Sequence, residues 1–90
     1  MEAFNIVHEN GRFSLARGEV ACELLYEVHD GVARFTHTRV SQALRGQGLA
    51  AHLVEAGLQW AVQHKLRIRP DCSYVQSYIE RHPQWREWVA

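Results

Sequence analysis

Residues 47–64 follow a helical period between two stretches of extended character, and that succession constrains the fold more than any other feature of the chain. Leu49, Leu53, Ala56 and Trp60 recur at helical spacing, and Ala50, Val54, Gly57 and Ala61 broaden the apolar face. Small residues on that face let a helix lie close on a sheet. Val32 to Val40 reads as a strand before it, and Leu66-Arg67-Ile68-Arg69-Pro70 returns to extended form after it. A strand, a helix and a strand in that order make a right-handed crossover with parallel strands. A chain of 90 residues has room for a single small core, so residues 1–90 are expected to form one domain around this crossover.

The first forty residues read as an antiparallel meander. Phe4, Ile6 and His8 alternate with Asn5 and Val7, Glu9-Asn10-Gly11 supplies a hairpin turn, and Arg12 to Leu15 returns as a short strand broken by Arg17-Gly18. Val20 to Val28 meets a second turn at His29-Asp30-Gly31. In the strand that follows, simple alternation places Val32, Arg34, Thr36 and Thr38 on one face and Ala33, Phe35, His37 and Arg39 on the other. From about Tyr74 to Trp88 the chain reads as one or two short helices divided near Pro83, which cannot continue a helix from within. The expected class is a mixed α/β domain: meander, crossover helix, parallel strand and helical tail.

Composition excludes several functions. Ten basic residues balance ten acidic ones, so the cationic footprint that nucleic acid or an anionic membrane requires is missing. No apolar run approaches the roughly 20 residues of a membrane span. Met1-Glu2-Ala3-Phe4-Asn5 lacks the basic and apolar regions of a secretory signal, which leads to the expectation of a cytoplasmic protein; a monomer is expected as well. Cys22 and Cys72 then read as free thiols rather than a disulfide. The six histidines show no metal-ligand spacing, so no metal site is expected.

Chemistry gathers at two places. Val40 leads through Arg45, Gly46, Gln47 and Gly48 into Leu49 and Ala50 at the helix start, a strand exit and glycine turn where unpaired backbone N–H groups and the helix dipole favour an anion. Glycine lets a phosphate approach the backbone, and Arg45 adds a cation at the mouth. A tight strand-to-helix turn also needs glycine when nothing binds. The second place is Cys72, just past the second parallel strand. Ligands of open α/β sheets bind beyond the carboxyl ends of strands, and a helix starting near Tyr74 would bring its N-terminus to the thiol. A small buried hydrophobe is the other reading of Cys72. His37, near the end of the preceding strand, is the natural base for it, unless it pairs with Thr36 or Thr38. Cys22 reads as a packing residue, Lys65, Arg67 and Arg69 as a solvated strand face, and Trp85 or Trp88 as docking the tail.

The pattern Arg45-x-x-Gly48-x-Ala50 resembles the pyrophosphate signature of the GCN5-related N-acetyltransferase (GNAT) superfamily. With His37-Thr38-x-Val40, Pro70-x-Cys72-Ser73-Tyr74 and Arg81-His82-Pro83-x-Trp85, residues 4–89 look like the small GNAT-like subfamily that keeps the acetyl-CoA-binding half of the fold. The resemblance implies acetyl-CoA (coenzyme A) as cofactor, its pyrophosphate on Arg45 to Ala50, its pantetheine arm between splayed strands and beside Tyr74, and its thioester near Cys72 and His37. It implies transfer to an acceptor amine that the sequence does not name, a protein amine included, either directly or through an acetylated Cys72. On this resemblance, the extra strands that help larger GNAT enzymes bind the acceptor are not expected within these 90 residues. A CoA-binding module with little catalysis, recognising a partner protein, is the competing expectation.

Overall fold

A computed structural model describes residues 6–17, 20–41 and 48–90. Four strands form the expected meander: β1 (Val7–Glu9), β2 (Arg12–Arg17), β3 (Val20–His29) and β4 (Val32–Val40). Asp30 and Gly31 both take positive φ, 51° and 77°, as the two-residue turn between β3 and β4 demands. Helix α1 (Leu49–Gln63) crosses over to β5 (Arg67–Pro70), which is followed by α2 (Ser73–Arg81) and a 3₁₀ helix over Pro83–Trp88. The sheet order is β1-β2-β3-β4-β5, antiparallel throughout except for the parallel pair β4–β5. Phe4, Asn5 and Gly18, named in the strand readings, lie outside the described residues.

One face of the sheet carries the core. Phe13, Leu15, Cys22, Leu24, Tyr26, Ala33, Phe35 and Ile68 are buried from the strands, Leu49, Leu53, Val54, Leu58 and Ala61 from α1, and Val75, Tyr78 and Ile79 from α2. Each fully buried large apolar side chain contributes about 1.5–3 kcal/mol relative to exposure. Helix α1 packs on β2 to β5, and α2 on β4, β5 and α1. Gly57 marks the closest approach: a Cβ there would stand 2.8 Å from Leu24 Cδ2 and 3.0 Å from Phe35 Cε1. Cys22 and Tyr78 both belong to this core, and burial pushes the Cys22 thiol up.

The alternation expected along β4 fails at one point. Tyr26 pairs with Phe35 but Leu25 pairs with His37, so Thr36 is an extra residue, a β-bulge. Directly opposed residues share a face. Beyond the bulge Thr38 therefore shares the helix-covered face with Leu24, while His37 and Arg39 pair with Leu25 and Glu23 on the other. The inserted residue reverses the sequence expectation from His37 onward.

The tail closes the far edge. Trp85, Trp88 and Val89 pack against the core, Val89 forms a parallel bridge with Ile68, and the Ala90 N–H donates to the Ile68 carbonyl at 2.8 Å. Arg67 does more than solvate a strand, because its guanidinium donates to the carbonyls of Trp88 (3.2 Å) and Val89 (2.7 Å).

Candidate active site

The parallel pairing of β4 and β5 stops at Phe35 and Pro70. One further link follows, from the Cys72 N–H to the Phe35 carbonyl at 3.0 Å, and then the two chains part. Strand β4 runs on to Val40 while the other chain turns into α2. Between them lies a wedge whose β4 side, from Thr36 to Val40, has no strand neighbour towards β5 among the described residues. Both the helix that follows β4 and the helix that follows β5 begin at this carboxyl end, as expected of a ligand site in an α/β sheet.

Cys72 occupies the N-cap of α2 with extended backbone angles (φ −86°, ψ 133°), and its carbonyl accepts the Gln76 N–H at 3.0 Å. Its side chain is half-buried, with Sγ 3.3 Å from Thr38 Oγ1. Burial pushes the thiol pKa up, but the Thr38 hydroxyl and the N–H groups of Val75 and Tyr74 together outweigh it. The net direction is below the ordinary thiol value. Sγ makes no regular capping hydrogen bond, so the amides act on it as oriented dipoles at the open helix end. Tyr74 sits in the first turn of α2, half-buried against the core.

His37 is placed elsewhere. Its side chain is exposed on the sheet face opposite Thr38 and forms no hydrogen bond among the described residues. The imidazole expected beside the thiol is replaced there by a hydroxyl. From sequence, Thr38 has no role beyond its place on the face opposite His37 and beside that residue, and nothing in the alternation of β4 signals the bulge that turns it inward.

At the start of α1, Gly48 is the N-cap in the left-handed region (φ 73°, ψ 11°) and supplies no side-chain cap. Among the described residues a Cβ there would meet nothing within 4 Å, so the glycine answers to backbone conformation and no described side chain fills the space above the helix end. Its carbonyl accepts the His52 N–H at 3.3 Å. Leu49 and Ala50 point their side chains into the core and can offer a ligand only their backbone. Val40 is half-buried, and the next residue, Ser41, exchanges hydrogen bonds with the Ala21 backbone. Arg45, Gly46 and Gln47 lie outside the described residues.

Two other features stand apart from this site. At the other end of α1, His8 stacks on Phe13 with ring centroids 4.0 Å apart, meets Trp60 edge-on at 5.0 Å and hydrogen-bonds the Tyr26 hydroxyl. Burial, and then the nearby His64, lower its pKa. A groove of about 390 Å³ between α2, β5 and the tail is lined by Pro70, Gln76, Ile79, Glu80, Arg86 and Val89, and neither Cys72 nor Gly48 reaches it. Among the described residues no group of three or more His, Cys, Asp or Glu could hold a metal ion, and no helix is long and apolar enough to cross a membrane.

A family model described as GCN5-related N-acetyl-transferase matches residues 12–88. Protein NATD1 of Homo sapiens is 39% identical over 61 residues, covering 67% of this chain and 54% of that protein. Protein NATD1 of Danio rerio is 36% identical over 69 residues, covering 73% of this chain and 63% of that protein. The chain thus spans little more than half the length of the curated relatives it matches. The solution structure of a GCN5-like protein from Staphylococcus aureus superposes with a TM-score of 0.78 over 100% of this chain and 91% of that one. At 24% sequence identity that likeness shows a shared fold.

Proposed function

Because the chain belongs to the GCN5-related N-acetyltransferase family, we propose that it binds acetyl-CoA in the wedge between β4 and β5 and transfers the acetyl group to an amine. The observation that carries this reading is the position of Cys72: a half-buried thiol at a helix N-terminus, at the apex where two parallel strands part. The space over Gly48, which no described side chain fills, and the helix end without a side-chain cap fit a pyrophosphate, held by backbone N–H groups about residues 45–50. Arg45 would contribute its cation there. The edge of β4 from Thr36 to Val40, free of a strand neighbour towards β5 among the described residues, suits the amides of a pantetheine arm, and Tyr74 would flank it.

The bound thioester supplies an activated acetyl group. In direct transfer the amine attacks the thioester carbonyl, the carbon–sulfur bond breaks and the amine proton passes to water. Cys72 gives its S–H proton to the departing CoA sulfur and is reprotonated from solvent. In the covalent route the Cys72 thiolate attacks the same carbonyl, and CoA leaves and takes a proton from solvent. The amine then attacks the acetyl carbonyl on Cys72, expelling the Cys72 thiolate and losing its proton to water. Neither step is routed through His37, whose side chain is exposed on the opposite face of the sheet.

The test is an NMR titration of labelled protein with acetyl-CoA and with CoA, followed by intact mass. Resonance shifts centred on residues 45–50 and at Cys72 support the site. A mass gain of one acetyl group, lost in Cys72→Ala, assigns the covalent route. Turnover of an offered amine without that gain assigns direct transfer. Binding with neither outcome identifies a CoA-binding module, and no shift at millimolar ligand refutes the proposal.

A further inference from the structure

We propose that Thr38 is the positioning residue for Cys72, fixing the sulfur and holding its proton. The inference deepens the acetyl-transfer reading, on which its catalytic meaning rests, but it concerns a property of the thiol that can be measured without acetyl-CoA.

The bulge is the starting point. Had β4 alternated regularly past Phe35, His37 would face the helices and Thr38 would face away. With Thr36 inserted, Thr38 pairs with the fully buried Leu24 and brings a hydroxyl onto the covered face. A hydroxyl in such surroundings calls for a partner, and its recorded side-chain partner is the Cys72 sulfur at 3.3 Å. Thr36, by contrast, spends its hydroxyl on the Leu25 carbonyl at 3.4 Å.

Both members of the pair are held. Cys72 is fixed through its N–H on the Phe35 carbonyl and its carbonyl on the Gln76 N–H. Thr38 lies within the β3–β4 ladder, and its branched side chain has little χ1 freedom. A hydroxyl also serves both protonation states without moving a heavy atom. It accepts from the S–H of the thiol, and after proton loss its own O–H turns to donate to the thiolate. Either route requires that: the direct route leaves a thiolate once the proton has gone to the departing sulfur, and the covalent route begins from one. The charged residues nearby are engaged elsewhere. Asp71 is held by Arg34 and Arg69, and His37 and Arg39 lie on the other face, so neutral donors are what act on the sulfur.

The experiment measures the rate of Cys72 alkylation by iodoacetamide against pH, with peptide mapping to separate it from the buried Cys22. It compares the native protein with Thr38→Ser, Thr38→Val and Thr38→Ala. Removing the hydroxyl in the Val and Ala variants should raise the midpoint by about one pH unit, a tenfold loss of thiolate at any pH well below it. Thr38→Ser, which keeps the hydroxyl, should stay near the native midpoint. A purely structural role for Thr38 would change stability without moving this profile. An unchanged midpoint in either folded hydroxyl-free variant overturns the inference, and so does a Ser profile that follows Val. If neither hydroxyl-free variant folds, the Ser midpoint decides alone: the native value supports the hydroxyl and a shifted one refutes it. Failure of the native protein to bind acetyl-CoA would defeat the transfer reading and leave these profiles as they are.

Discussion

A single methyl group added at Gly57 measures how closely α1 lies on the sheet. The new Cβ would stand 2.8 Å from Leu24 Cδ2, 3.0 Å from Phe35 Cε1 and 3.6 Å from Phe13 Cε2. Carbon atoms attract best at about 3.5–4.0 Å, so two of these contacts are repulsive and one is ordinary. Leu24 and Phe35 are both 0% exposed, and neither can swing into solvent to make room. Two effects oppose each other in Gly57→Ala. Alanine is favoured over glycine in a helix interior by about 1 kcal/mol, while overpacking a filled core costs about 1–3 kcal/mol. Two simultaneous clashes with immobile partners place the cost in the upper part of that range, which leaves a net loss of about 1–2 kcal/mol. For a domain of this size Tm should fall by about 4–8 °C for each kcal/mol. Thermal and urea unfolding followed by circular dichroism would read it, with exposed Gln59→Ala in the same helix as the control, expected within about 0.5 kcal/mol of native. The Phe35 carbonyl holds the Cys72 N–H, so the Cys72 amide resonance should move in Gly57→Ala and stay put in Gln59→Ala. A Gly57→Ala protein at least as stable as native would refute the close approach on which this reasoning rests.

Gly48→Ala places a side chain at φ 73° with no steric neighbour among the described residues, so its stability loss should be confined to the backbone, about 1–2 kcal/mol, with acetyl-CoA affinity in the NMR titration weakened as well. Asp71 is held below the usual carboxylate range, first by its hydrogen bond from Arg34 and then by the charges of Arg34 and Arg69. Its contribution is present above the unfolded pKa of about 3.9 and is lost as pH falls through the lower folded value. Asp71→Asn should therefore lower the urea midpoint near neutrality and show a smaller decline below pH about 4 than native protein, and parallel curves would count against it. Partial desolvation, and then His64, lower the pKa of His8, so below about pH 6.5 the unfolded state binds more protons and stability rises with pH there. Acidification from about pH 6.5 should destabilise the native protein more than His8→Gln, and equal slopes in urea titrations at pH 5–7 would contradict this.

Much of the architecture was readable from local chemistry. Asn10-Gly11 and Asp30-Gly31 announced their turns, the spacing from Leu49 to Trp60 announced α1, and strand–helix–strand announced the parallel pair β4–β5. Pro83 divides α2 from the 3₁₀ turn as its ring requires. What could not be read was the bulge. A period of two carries no mark of an inserted residue, because Thr36, His37, Thr38 and Arg39 are all polar and neither face assignment offends the hydrophobic pattern. That one residue exchanges His37 for Thr38 opposite Cys72. The duties of Arg67 and Arg69 were hidden for a different reason: their partners, the carbonyls of Trp88 and Val89 and the carboxylate of Asp71, are set by how the tail and the end of β5 turn. The clustering of His8 with Phe13, Tyr26 and Trp60 joins three strands to a helix, which no local pattern records.

Arg34 and Arg69 are direct neighbours across the β4–β5 pair, an arrangement in which like charges push strands apart. Asp71, one residue past β5, accepts from both Nε and Nη2 of Arg34 on one oxygen (2.8 Å each) and from Arg69 on the other (3.2 Å). The carboxylate therefore works as a latch that engages at one setting of the two strands. Sliding β5 by one residue would carry Asp71 off the Arg34 guanidinium and turn the buried Ile68 towards water. The setting it locks decides where the strands divide, and hence how far along β4 the residue after Asp71 comes to rest. The alignment of the sulfur with its hydroxyl is thus gauged by an ion-paired latch at solvent level.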